Sequence, residues 1–333
     1  MERDRRLAIG LAGLGAGVLA CVLLGPLALD VLQYRTSDLA RNQVVGGDAA
    51  ALVVSVPVCL AAAVLAWRGH PAAPVVALSP AVFAVYTYSQ LIMANEYLDQ
   101  AGNVERFFPL LLTVVLLAAV VAAHGWRRLA ALNPPVRPRR FELAVGWLLL
   151  TVAGFLVLGL HLGSYVDALA DRPSNPQYLA APTAFWTVKL WDLGVVAPAT
   201  FAVGIGLLRG RGWARTAMYP VLGGFALLAC SVTGMAWRML LSGDPGSSIA
   251  QSLVLTGCAV AALVAMARLY RPLVAGPRPG GAAADPGDRP SRSGCSASTG
   301  WQQQAAVPEL VPEVAALEGG GVRLAHEVGA GHG

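Results

Sequence analysis

The sequence predicts an all-α fold, a polytopic membrane bundle of eight transmembrane helices. Three observations carry this. Of 333 residues, 56% are apolar and only 13% charged, with mean hydropathy +0.59, whereas a soluble domain carries about 25% charged residues. The apolar residues gather in eight long runs. Arginines collect in alternate loops between those runs, as cytoplasmic loops of membrane proteins do.

Taken in order, the runs cover 7–32, 50–67, 74–94, 107–123, 141–162, 185–208, 216–240 and 249–269. Each lies near the ~20 residues a helix needs to cross ~30 Å of hydrocarbon. They are continuous rather than alternating, which selects helices over the strands of a closed barrel. The first run exceeds the roughly 7–15 residues of a signal-peptide core, so it reads as a retained helix.

The arginines set the orientation. Arg3, Arg5 and Arg6 precede the first run, and Arg68 follows the second. Arg127, Arg128, Arg137, Arg139 and Arg140 follow the fourth; Arg209, Arg211 and Arg215 follow the sixth; Arg268, Arg271 and Arg278 close the eighth. The opposite loops hold Arg35, Arg41, Arg106 and Arg172. Both termini are therefore expected in the cytoplasm. Lys189 is the only lysine, and such arginine bias with abundant alanine and glycine suits a GC-rich bacterial gene, hence a bacterial plasma membrane. The net charge of +5 is thus a topology signal, and no nucleic-acid partner is expected. The expected partners are the lipid bilayer and a small solute or membrane protein of unspecified identity.

The organisation reads as two four-helix halves, 1–140 and 141–271, followed by a tail at 272–333. That tail is rich in glycine and proline and is expected to be a disordered cytoplasmic segment. The halves match each other. Pro57 and Pro198 are each followed by Arg-Gly, at Arg68-Gly69 and Arg209-Gly210; Pro80 and Pro220 open the next runs. Phe83-Ala84, Ser89 and Met93-Ala94 align with Phe225-Ala226, Ser231 and Met235-Ala236, at offsets of 140 to 142. These matches point to a parallel 4+4 repeat, as some transporters have; coincidence in an alanine-rich chain is the competing account.

Ionisable groups inside a membrane are default functional candidates. Counted at ~1.5 Å per residue from the cytoplasmic ends, Asp30, Glu96, His161, Lys189, Asp192 and Arg238 all fall roughly 25–36 Å away, near the outer boundary. The bilayer middle is expected to hold no ionisable side chain. On the third run Tyr86, Ser89, Gln90, Met93, Glu96 and Tyr97 share one helical face, expected to look into the bundle. The repeat sets Glu96 opposite Arg238, and the two are expected to pair across the pseudo-twofold axis or to snorkel separately. Lys189 and Asp192 are spaced for an i,i+3 ion pair. His161 reads as a hydrogen-bonded packing residue. Tyr86, Gln90, Glu96, His161, Lys189, Asp192 and Arg238 are the candidate ligand-binding set.

Other chemistry lacks its signatures. None of the cysteines forms a C-x-x-C pair, so zinc and thiol-redox sites are not expected. Haem needs two axial groups, and His161 is the one histidine near the membrane interior. There is no P-loop, H-E-x-x-H or G-x-S-x-G motif. No catalytic residue, metal or cofactor is expected. The leading reading is a non-enzymatic envelope accessory, binding or sensing component with an extracytoplasmic polar cleft. A small-solute permease comes second. An intramembrane enzyme on a lipid-linked substrate, with Glu96, His161 and Asp192 as acid–base groups, comes third.

Overall fold

The computed structural model describes residues 4–132, 137–244 and 247–274. There is no strand among the described residues. Among the described residues, eight helices are long and apolar enough to cross a bilayer: α1 Arg5–Leu24, α2 Asp38–Trp67, α3 Ala73–Met93, α4 Val104–Leu132, α5 Arg139–Ala168, α6 Pro182–Leu208, α7 Gly212–Leu241 and α8 Ile249–Val274. The chain is a multi-pass helical membrane protein. The expected tail opens as the last turn of α8 and otherwise lies outside the described residues.

Two boundaries differ from the hydropathy reading, each for a local reason. α1 stops at Leu24, not at residue 32, because Pro26 has no N–H to continue the ladder. Gly25 N–H closes the last turn on the Cys21 carbonyl at 2.9 Å, and Leu29 and Leu32 N–H fold back onto Leu23 and Leu24. α2 starts at Asp38, well before Ala50. Ser37 caps it by accepting the Ala40 N–H, and Asp38 sits in the first turn at the positive end of the helix. This early start carries Asp48 into the bundle.

Within the bundle α1 packs on α2 and α4, α3 on α4 and α7, α5 on α6, and α7 on α8 and the first half of α2. Lipid supplies no hydrophobic drive between helices, so close approach depends on small residues. Gly46 of α2 and Gly234 of α7 meet backbone to backbone: a Cβ on either would collide with the other's carbonyl. Gly223 makes room in the same way for the Ser79 and Tyr270 hydroxyls. Those hydroxyls lie 2.8 Å apart, and Tyr270 donates onward to the Tyr219 carbonyl, joining α3, α7 and α8. Large apolar side chains such as Ile9, Val53, Leu158 and Val254 point outward, as a lipid-facing surface requires.

The arginine-rich end is tied by two acids, Asp4, half-buried, and Glu142, buried. Asp4 caps α1 through the Leu7 N–H and also bonds His124 and Arg128 of α4, each at 2.9 Å. Glu142 of α5 is buried between Arg139 at 3.3 Å and Arg215 of α7 at 2.7 Å. Arg139 reaches the carbonyls that end α6, and Arg137 those near the end of α8.

Backbone features recur along the chain. α2 and α6 each contain one widened π-helical turn, Ala51–Ser55 and Asp192–Val196, just ahead of Pro57 and Pro198. Both helices end on a glycine with positive φ, Gly69 at 70° and Gly210 at 68°. α3 and α7 carry Pro80 and Pro220.

Two outcomes follow. Gly234→Leu forces α2 off α7 and costs on the order of 3 kcal/mol, lowering the thermal midpoint by several degrees. Gly257→Ala, inside α8 where nothing lies within 4 Å of the added methyl, does not lower it. For Asp4, burial on its own raises the carboxyl, but hydrogen bonds from His124, Arg128 and Leu7 outweigh it and hold the group at about 2, below its ordinary 3.8. A folded value below the unfolded one contributes stability fully above the ordinary value, and that contribution fades as pH falls through about 2. Asp4→Asn should therefore cost about 1–2 kcal/mol at neutral pH, with the gap to wild type closing in acid, as read by melting curves across pH.

Candidate functional site

At the end opposite the arginines, a chain of polar side chains links α3, α5 and α6. Tyr86 of α3 donates its hydroxyl to Asp192 Oδ1 at 2.6 Å. Asp192 Oδ2 meets His161 Nε2 of α5 at 2.8 Å. His161 Nδ1 lies 3.5 Å from Lys189 Nζ, and Lys189 donates to Ser164 Oγ of α5 at 2.7 Å. His161, Lys189 and Asp192 are all buried. The Lys189 ammonium also stacks over the Phe185 ring at 3.9 Å, a cation–π contact one turn back on α6.

The backbone explains how these groups meet. His161 lies in a π-helical stretch, Phe155–Leu162, and Asp192 opens the π turn Asp192–Val196. Widened turns inside helices re-aim side chains and are frequent at functional sites. The Tyr86 ring is held edge-on by Trp191 at 6.1 Å between centroids. Gln90, one turn along α3, has a buried amide nitrogen with no hydrogen-bond partner among the described residues, and so does the Trp191 indole N–H.

Glu96 forms a second, smaller centre. It accepts the Thr183 N–H at 2.7 Å and the Thr183 hydroxyl at 2.6 Å, at the first turn of α6. Its own N–H bonds the Arg35 carbonyl. Neighbouring Asn95 caps α3, donating to Leu91 and Ile92 carbonyls and accepting the Arg35 N–H.

Four of the seven candidates thus converge: Tyr86, His161, Lys189 and Asp192, with Gln90 beside them. Three expectations are corrected. α3 ends at Met93, so Glu96 and Tyr97 do not continue its polar face, because Asn95 takes up the last carbonyls. Glu96 and Arg238 do not pair: both Glu96 oxygens bond Thr183, and the exposed Arg238 joins no ion pair among the described residues. Lys189 and Asp192 do not pair directly either. Both Asp192 oxygens are filled by Tyr86 and His161, and Ser164 offers Lys189 a nearer oxygen.

Sequence reasoning missed Ser164, Thr183 and Asp48. The first two are unremarkable residues made important by a neighbour. Asp48 lay outside the hydropathy limit of its span, although the Ser37-Asp38 start and the Gly46-Gly47 pair signal a helix that packs closely.

Two crevices among the described residues are apolar. One, about 460 Å³, lies among Leu78, Trp126, Val203, Trp213 and Pro220, and the other, about 630 Å³, lies between α1 and α2 beside Ile9, Leu60 and Trp67. Neither includes a residue of the polar chain. No family model, curated protein or solved structure matches this chain.

Removing Asp192 leaves buried histidine and lysine uncompensated, so Asp192→Ala should cost about 3–5 kcal/mol by thermal or denaturant unfolding. By contrast, Arg238→Glu should stay within about 0.5 kcal/mol of wild type, as an exposed surface change does. Glu96→Arg should destabilise, and adding Arg238→Glu to it should give no rescue; recovery in that double variant would restore the Glu96–Arg238 pair.

Proposed function

We propose that the protein is a non-enzymatic binding or sensing component of a bacterial plasma membrane. Its arginine-rich end and both termini face the cytoplasm, and the Tyr86–Asp192–His161–Lys189 chain lies toward the extracytoplasmic leaflet. The positive-inside rule supports that orientation.

One observation carries the reading: every carboxylate oxygen of the site is held by the protein's own groups, while two of its buried N–H donors have no partner. Both oxygens of Asp192 and of Glu96 are engaged by the chain's own groups. A general acid or base must reach substrate, and carboxylates so occupied are poorly placed to do so. Gln90 and Trp191 hold buried N–H groups to spare, next to the Lys189 ammonium. Buried donors without partners are costly, and a solute bearing carboxylate or carbonyl oxygens satisfies them. The fit is to a small acceptor-rich solute, and its arrival would tighten α3 against α6.

A second reading, a small-solute permease, is favoured by the recurring π turns, prolines and glycine caps of α2–α3 and α6–α7. Such recurrence suits a duplicated 4+4 chain with parallel halves.

A panel of small carboxylates and amides distinguishes the two in purified, reconstituted protein. The sensing reading expects at least one compound to raise the melting midpoint by several degrees. That shift should disappear in Gln90→Leu and Lys189→Met, with no flux into proteoliposomes above protein-free vesicles. Compound-specific uptake abolished by Lys189→Met would replace it with the permease. Chemical conversion of a panel member would overturn both.

A further inference from the structure

Asp48 is a buried acid outside the site described above. It stands on the first half of α2, is 6% exposed, and its Oδ2 atom is buried without a hydrogen-bond partner. None of the ion pairs among the described residues includes it. Cys21 of α1, Tyr34 of the α1–α2 connection and Tyr88 of α3 lie close enough to feel its charge, with Cys59 beyond Tyr88. Helix α7 presents Ser231 and Met235 to the adjoining Gly47. None of these groups is basic. The Tyr34 hydroxyl is likewise buried without a partner.

Oxygens converge at this place. A Cβ added to Gly25 would lie 2.9 Å from the Cys21 carbonyl, 3.2 Å from Asp48 Oδ2 and 3.7 Å from the Val22 carbonyl. The Cys21 carbonyl holds the Gly25 N–H. The helical donor to the Val22 carbonyl would be the N–H of residue 26, and Pro26 has none. A carboxylate oxygen and a freed carbonyl therefore face the same point at the C-terminus of α1, the negative end of the helix dipole. Acceptors gathered in an apolar core without donors are unfavourable, and a cation resolves the conflict.

The donor set limits which cation fits. It is oxygen only, which favours hard ions over the soft metals that take thiolate or imidazole. It carries one formal negative charge, so a divalent ion would leave a net charge in the core. Helix C-termini and freed backbone carbonyls are the groups that hold Na⁺ in membrane carriers. We propose that Asp48 and the Val22 carbonyl form a buried site for a small monovalent metal cation of the Na⁺ class. The site stands apart from the solute reading above, on α1 and α2 rather than on α3, α5 and α6. A proton competes for the same carboxylate.

Thermal unfolding of the full chain in detergent tests this, comparing NaCl with choline chloride at equal ionic strength. At about pH 8, roughly 100 mM NaCl should raise the midpoint by about 5 °C over choline chloride, and by less at about pH 6. Asp48→Asn, which keeps the shape without the charge, should fold in either salt and lose the difference. Gly25→Ala, whose methyl would sit among the converging oxygens, should weaken the response to Na⁺ about tenfold, and it serves as the reporter if Asp48→Asn does not fold. Gln90→Leu should leave the response intact, which keeps a failure here separate from a failure of the solute site. Equal melting of wild type in both salts at about pH 8 would overturn the proposal, assigning Asp48 to the proton alone if both curves move together with pH. A Na⁺ shift that survives in Asp48→Asn would overturn it as well.

Discussion

The bond pair on Asp192 is the interaction on which the half of this bundle opposite the arginine-rich end depends. One carboxylate on α6 holds a phenol from α3 and an imidazole from α5. In lipid there is no water to satisfy a stray polar group, so each such group must find protein. The side chains along this route meet their needs mainly from one another, in the order Tyr86, Asp192, His161, Lys189, Ser164. A cluster of this kind fixes which helices are neighbours and in what register, because few other arrangements leave so few charges bare.

The π turns show how the backbone serves that arrangement. His161 and Asp192 stand in or at the edge of widened turns, and regular helix would place them differently. The same device occurs in α2 at Ala51–Ser55, three residues past Asp48. Asp48 and Lys189 occupy matching places ahead of the two π turns in α2 and α6. If the halves descend from one ancestor, one position has become a lone acid and the other a stacked lysine. The two halves then carry different polar centres on one shared backbone.

Much of the fold is legible in the sequence because burial in lipid demands long unbroken apolar runs, and eight of them are present. The helix ends are less legible. Hydropathy averages cannot see that Pro26 stops α1 or that Ser37 starts α2, since both are decisions of single hydrogen bonds. Of the site, depth counting finds His161, Lys189 and Asp192 because ionisable groups in a span are few, and the shared polar face of the third run finds Tyr86. It cannot say which pairs form. Spacing suggests Lys189 with Asp192, while the structure gives Asp192 to residues far away in sequence, a choice set by the π turns. Glu96 was assigned to a helical face that Asn95 ends early. Asp48 escaped because its helix begins before its hydrophobicity does.

The central claim is that Tyr86 and His161 act through one shared carboxylate. A double-mutant cycle on unfolding free energy, with Tyr86→Phe, His161→Gln and their combination, tests it most directly. A coupling of about 1 kcal/mol or more is expected, as residues in one network show. Effects that simply add, within about 0.3 kcal/mol, would contradict it.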